Sequence, residues 1–121
     1  MQRILVVDDE PDVDFALKKV LEGYGFEVDS FDDPILALEH FRDNNLYDLL
    51  ILDIKMSRMN GISLYRELRK INPEAKVCFL TAGEIYSRTP IDILCDLDKN
   101  RFIQKPIDNE ELLKRVNAII Y

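Results

Sequence analysis

Apolar residues fall into two kinds of pattern along this chain, and the two alternate. Runs such as Ile4-Leu5-Val6-Val7, Leu49-Leu50-Ile51-Leu52 and Val77-Cys78-Phe79-Leu80 are apolar at every position. They are too short for helices in a compact domain and suit parallel strands buried on both faces. Between the runs, apolar residues return every three or four positions. Val13, Ala16, Leu17, Val20 and Leu21 predict one amphipathic helix, opened by Pro11 and stopped by Gly23 and Gly25. A weaker alternation from Phe26 to Phe31 suits a strand nearer an edge. Asp33-Pro34 opens a second helix, with Ile35, Leu38 and Phe41 on one stripe and Asn44-Asn45 as its exit.

The central strand is expected from Tyr47 to Asp53. Asn60-Gly61 then reads as a turn, followed by a helix carrying Ile62, Tyr65, Leu68, Arg69 and Ile71 that stops near Pro73. Pro90 interrupts any helix from Glu84 to Asp96, so the pattern predicts a loop from Ala82 to about Arg88. A short helix beginning at Thr89-Pro90-Ile91-Asp92 follows it. Arg101-Phe102-Ile103-Gln104 is a fifth strand. Asp108-Asn109-Glu110-Glu111 is a capping box leading into Leu112, Leu113, Val116, Ile119 and Ile120 on a last helix.

Strict alternation of five strands and five helices implies parallel strands joined by right-handed crossovers. The economical solution is an α/β fold: a doubly wound five-stranded parallel sheet in the flavodoxin-like order 2-1-3-4-5, with helices on both faces. In that order the first and third strands are neighbours where the strand order reverses, which places Asp8 and Asp9 beside Asp53. Carboxylates gathered at one sheet edge repel one another, an arrangement that persists when a divalent cation neutralises it. Strand four ends in Thr81 and strand five in Lys105, adding a hydroxyl and an ammonium. Such a set handles a phosphoryl group: a carboxylate attacks phosphorus, a hard cation neutralises its oxygens, and the hydroxyl and ammonium grip the rest. Asp53 would become an acyl phosphate.

Composition narrows the field further. A chain of 121 residues, 47% hydrophobic, fits one domain spanning residues 1–121. The net charge of -7 and the lack of a Lys/Arg cluster argue against direct nucleic-acid binding by this chain. With no secretory pattern and no apolar run near the ~18 residues of a membrane span, a cytoplasmic protein is expected. Cys78 and Cys95 lack metal-site spacing and read as reduced, buried thiols. His40 has no ligand partner nearby in sequence and is expected at the surface.

Val6-Val7-Asp8-Asp9-Glu10, Leu52-Asp53-Ile54-Lys55-Met56, Asn60-Gly61, Thr81-Ala82 and Lys105-Pro106 together resemble, in order and spacing, the response-regulator receiver domains of two-component signalling. The resemblance covers essentially the whole chain. It implies phosphotransfer from a sensor histidine kinase to Asp53. It further implies Mg²⁺ held directly by Asp9, Asp53 and the backbone carbonyl of Lys55, with Asp8 acting through water. Thr81, Ala82 and Lys105 would bind the phosphoryl oxygens, and a switch would move Thr81 toward the phosphate while Phe102 turns inward. The only catalysis expected is that of the chain's own phosphorylation and dephosphorylation, and the output is expected to be binding of a downstream protein by a monomer or weak dimer, without a membrane.

Three departures accompany the resemblance. Ser57 stands where such domains usually have Pro after Met56, the stretch from Gly83 through Pro90 to Asn100 differs from their continuous fourth helix, and Phe102 replaces the commoner Tyr. Lys55, two residues past the acceptor, is expected to tune phosphate lifetime through its side chain. Two other readings compete. One is a degenerate receiver acting as a constitutive interaction module. The other is a phosphatase resembling the haloacid dehalogenase group, which wants Asp at position 55 and meets Lys55.

Overall fold

Leu49–Asp53 forms strand β3, every residue of which is buried, and the rest of the sheet is laid down on either side of it. The computed structural model describes residues 2–82 and 101–121. The remainder of the loop predicted from Ala82, the short helix from Thr89, and Cys95 all lie outside the described residues. Arg3–Val7 (β1) and Lys76–Thr81 (β4) flank β3. Glu27–Phe31 (β2) pairs with β1 and Phe102–Gln104 (β5) with β4, all parallel, in the order 2-1-3-4-5.

Successive strand residues point to opposite faces, so the unbroken apolar runs feed two cores at once. Leu5, Val7, Leu50, Leu52, Phe79 and Phe102 meet helices Pro34–Asp43 (α2) and Gly61–Ile71 (α3). Ile4, Val6, Leu49, Ile51, Cys78 and Ile103 meet Pro11–Gly23 (α1) and Asn109–Ile120 (α4). Each buried side chain of this size stabilises the fold by roughly 1.5–3 kcal/mol. Cys78 is a free thiol inside the second core, and burial pushes its pKa up to about 12. It therefore behaves as a small hydrophobe.

Helix starts follow the capping residues. Asp33, Asn60 and Asp108 accept from the backbone N–H groups of Ile35, Ser63 and Glu111 at 2.8, 2.8 and 3.1 Å. Asn60-Gly61 thus opens α3 as cap and first helical residue, instead of forming the separate turn expected from sequence. The glycine is there for close approach: a Cβ on Gly61 would lie 2.2 Å from the carbonyl oxygen of Asp53. Gly61 N–H donates to the Ile54 carbonyl at 2.8 Å. At the end of α1, Gly25 takes φ 95, a conformation that favours glycine.

Other boundaries and burials differ from expectation for tertiary reasons. Phe26 is buried but precedes β2, and Tyr47 precedes β3. The Tyr47 hydroxyl donates to Asp29 at 2.6 Å, and His40 Nε2 lies 3.1 Å from that hydroxyl. His40 is therefore half-buried, against Phe31 as well, and not the surface residue expected from sequence. In α1 the predicted stripe is off by a step: Ala16 is exposed and Asp14 is buried in its place.

Burial pushes the Asp14 carboxyl up to about 7; a hydrogen bond with Ser30 opposes the shift, and the charges of Asp32 and Asp8 add to it. An aspartate ordinarily titrates near 3.8. The folded chain holds this proton more tightly than the unfolded one, so the stabilisation is complete below about pH 4 and is lost as pH rises through about 7. Asp14→Asn is accordingly expected to stabilise the protein by roughly 1–2 kcal/mol at alkaline pH, discounted for solvent screening. Urea midpoints of the two proteins at pH 5 and pH 8 provide the check: the gap widens at the higher pH, and an equal gap at both would show a solvated carboxyl.

Candidate functional site

Strand alternation carries three charged groups to one corner. Asp53 ends β3 on the face shared by Leu49 and Ile51. Continuing the alternation of Ile4 and Val6 places Asp8 on that side, and continuing that of Ile103 does the same for Lys105. The pairing of Val7 with Leu52 sets Asp8 beside Asp53. Lys105 N–H donates to the Thr81 carbonyl at 2.7 Å, aligning the end of β5 with that of β4.

The side chains meet as this placement requires. Lys105 Nζ lies 2.8 Å from Asp8 Oδ2, 3.3 Å from Asp53 Oδ2 and 3.3 Å from Glu10 Oε1. Asp8 is 0% exposed and Asp53 4%. Asp8 Oδ1 accepts from Glu10 N–H at 3.0 Å. One carboxylate oxygen each from Asp8, Glu10 and Asp53 lies within 4.8 Å of the others. Asp9 reaches to the loop after β3, where its Oδ2 accepts from Ser57 N–H at 2.9 Å. Arg58, next in that loop, pairs with Asp33 at the start of α2. Although desolvation acts in the other direction, the Ile35 N–H and the Arg58 guanidinium hold the Asp33 carboxyl below its ordinary value.

The remaining residues singled out from sequence surround this corner. Thr81 is buried at the end of β4 and Ala82 is exposed just beyond it, while Lys55 is exposed in the loop after Asp53. Phe102 is buried on the opposite face of the sheet, stacked on Phe79 with ring centroids 5.5 Å apart. By alternation with Val77 and Phe79, Thr81 belongs to that opposite face as well.

Three carboxylates, Asp8, Glu10 and Asp53, gather here around the Lys105 ammonium, with Asp9 on the neighbouring loop. Burial, then the charge of Asp8, pushes the Asp53 carboxyl up to about 6, with Lys105 pulling the other way. Burial on its own would lower the Lys105 ammonium, but Asp8 and Asp53 hold it well above its ordinary value. Hard oxygen donors with unbalanced negative charge fit a divalent cation such as Mg²⁺. Sequence reasoning assigned Glu10 no role of its own. The one available signal was its adjacency to Asp8-Asp9.

An acidic cluster with one lysine, where the order of a doubly wound parallel sheet reverses, marks a class of α/β domain that works beyond the carboxyl ends of its strands. A family model described as the response regulator receiver domain matches residues 4–117, and the chain belongs to that family. It is 33% identical over 121 residues to the transcriptional regulatory protein CpxR homolog of Haemophilus influenzae, covering 99% of this chain and 51% of that protein. The chain thus spans about half the length of the curated relatives it matches. Among solved structures, it matches a chain in the crystal structure of histidine kinase ThkA in complex with response regulator protein TrrA. That match has TM-score 0.81 and 36% identity over 100% of both chains. A CheX-CheY-BeF3-Mg complex from Borrelia burgdorferi matches at TM-score 0.86 and 26% identity, covering 99% of this chain and 90% of that one.

Proposed function

We propose that this chain accepts a phosphoryl group on Asp53 from a sensor histidine kinase, later returns it to water, and presents two surfaces that a downstream protein distinguishes. The observation that carries this reading is the buried Asp53 carboxylate, 3.3 Å from the Lys105 ammonium in a corner with excess negative charge. A carboxylate oxygen of Asp53 forms the new P–O bond while the P–N bond to the donor imidazole breaks and the imidazole leaves. Lys105 moves from its carboxylate partners to a phosphoryl oxygen, and Thr81 and Ala82 take the others. Asp8, Asp9, Asp53 and the Lys55 carbonyl would hold Mg²⁺, which when bound neutralises charge on the phosphoryl oxygens. This self-modification is the only catalysis proposed.

The phosphoryl group adds about -2 of charge and biases a two-state equilibrium already present in the protein. Thr81 and Phe102 share a sheet face, and the Phe102 ring is already buried against Phe79, so displacement of Thr81 toward the phosphate would act on an aromatic that is inward before phosphorylation. Lys55, exposed beside the acceptor, governs the lifetime of the acyl phosphate. Residues 1–121 act as one domain, monomeric or weakly dimeric, in the cytoplasm where a kinase draws on ATP. Their charge of -7 disfavours direct nucleic-acid contact. Among the described residues, no helix is long and apolar enough to cross a membrane.

Intact mass after incubation with a small phosphodonor tests the reading. One phosphoryl group is expected in the presence of Mg²⁺ and none in the presence of a chelator. Absence of an adduct with Mg²⁺, under trapping faster than hydrolysis, would overturn it in favour of a constitutive interaction module.

A further inference from the structure

Asp9 is the acid of this corner that one oxygen ties to the neighbouring loop. The carboxylates within 4.8 Å of one another are those of Asp8, Glu10 and Asp53. Asp9 instead spans to the loop after β3, with its Oδ2 held at 2.9 Å by the backbone N–H of Ser57. We propose that this N–H is a latch on Asp9 that sets the Mg²⁺ affinity of the pocket. The proposal rests on the reading of Asp9 as a cation ligand.

The latch is built into the loop and is independent of the serine side chain. On one side of Ser57, Ile54 N–H donates to the Leu80 carbonyl at 3.0 Å; on the other, Gly61 N–H donates to the Ile54 carbonyl at 2.8 Å. Arg58, the next residue, pairs with Asp33. The donor is therefore held in place at both ends of a short segment. A hydrogen bond to a carboxylate stabilises its charge and fixes its direction. Bringing Oδ2 of Asp9 onto a cation shared with Asp8 and Asp53 competes with this bond, and the N–H of the exposed Ser57 then passes to water. Until that happens, Glu10 is the third acid of the cluster, with its carboxylate on Lys105.

Any residue except proline supplies this N–H. Receiver domains usually carry proline at this place, so the latch distinguishes this chain from the pattern it otherwise follows. Ser57 is a positioning residue: it acts through Asp9 and touches neither cation nor phosphate.

Calorimetric titration of the unphosphorylated protein with Mg²⁺, comparing wild type, Ser57→Pro and Ser57→Ala, tests the latch. Ser57→Pro is expected to bind Mg²⁺ roughly tenfold more tightly than Ser57→Ala, which keeps the N–H, a factor the size of one net hydrogen bond to a charged acceptor shared with water. In wild type, the Ser57 amide proton is expected to move upfield and exchange faster as Mg²⁺ saturates the site. Should the proline variant misfold, this amide measurement decides alone. Equal affinities for the two variants, or a Ser57 amide unmoved at saturation, would overturn the latch while leaving the cation site standing. Wild type binding no Mg²⁺ at millimolar concentrations would remove the cation site, and the latch with it.

Discussion

Asp53→Asn is expected to take up no phosphoryl group from any donor and, at the same time, to resist urea better than wild type. The first half follows from chemistry: the amide is nearly the same shape as the carboxylate but is not a nucleophile toward phosphorus. The second follows from the charges around the residue. Burial and the nearby Asp8 push the Asp53 carboxyl up to about 6, outweighing the attraction of Lys105. Its stabilising contribution is therefore complete below about pH 4 and lost as pH rises through about 6. At neutral pH the wild-type protein holds an ionised group it would bury more easily as the acid. Removing that charge is expected to stabilise the fold by roughly 1–2 kcal/mol, after discounting for water at the pocket mouth. Intact mass checks the loss of uptake, and urea midpoints without Mg²⁺ at pH 7.5 check the gain. A variant less stable than wild type would show that the Lys105 pair dominates.

Gly61→Ala is expected to cost about 3 kcal/mol, the upper end of what overpacking a rigid site produces. The added methyl would lie 2.2 Å from the Asp53 carbonyl oxygen, 2.9 Å from its carbon and 3.0 Å from Ile54 Cα, all of them backbone atoms. Those atoms cannot give way without disturbing the bonds from Gly61 N–H to Ile54 and from Ile54 N–H to Leu80. The strain thus falls on the end of β3 that carries Asp53, and slower phosphoryl uptake should accompany the lost stability. Gly23 makes a useful comparison. A Cβ there meets nothing within 4 Å, so Gly23→Ala should be neutral or stabilise by up to about 1 kcal/mol. Equal effects of the two alanines in thermal melts would exclude the steric explanation.

The sheet was legible because β1, β3 and β4 are buried on both faces, which leaves a run with no polar interruption. Convergence of Asp8, Asp53 and Lys105 followed from strand order alone, since each ends or immediately follows a strand. Periodicity says nothing about side chains once the strand has ended. It gave Asp8, Asp9 and Glu10 as one acidic group, whereas the loop after β3 draws Asp9 aside and leaves Glu10 on Lys105. It also favoured Ala16 over Asp14 in the α1 stripe, because a carboxyl buried against Ser30 has no local signature. His40 was misplaced for a similar reason: its partners Phe31 and Tyr47 come from neighbouring strands and their connections. Asn60-Gly61 carried two meanings, turn and helix cap, that only the packing of α3 against β3 could separate.

The parity of a β-strand also divides labour. Asp8, Asp53 and Lys105 lie to the side of α1 and α4, whereas Thr81 and Phe102 belong to the side of α2 and α3. Of these five residues, Thr81 alone is proposed to reach from one layer to the other, so the proposed switch has a single point of passage through the sheet.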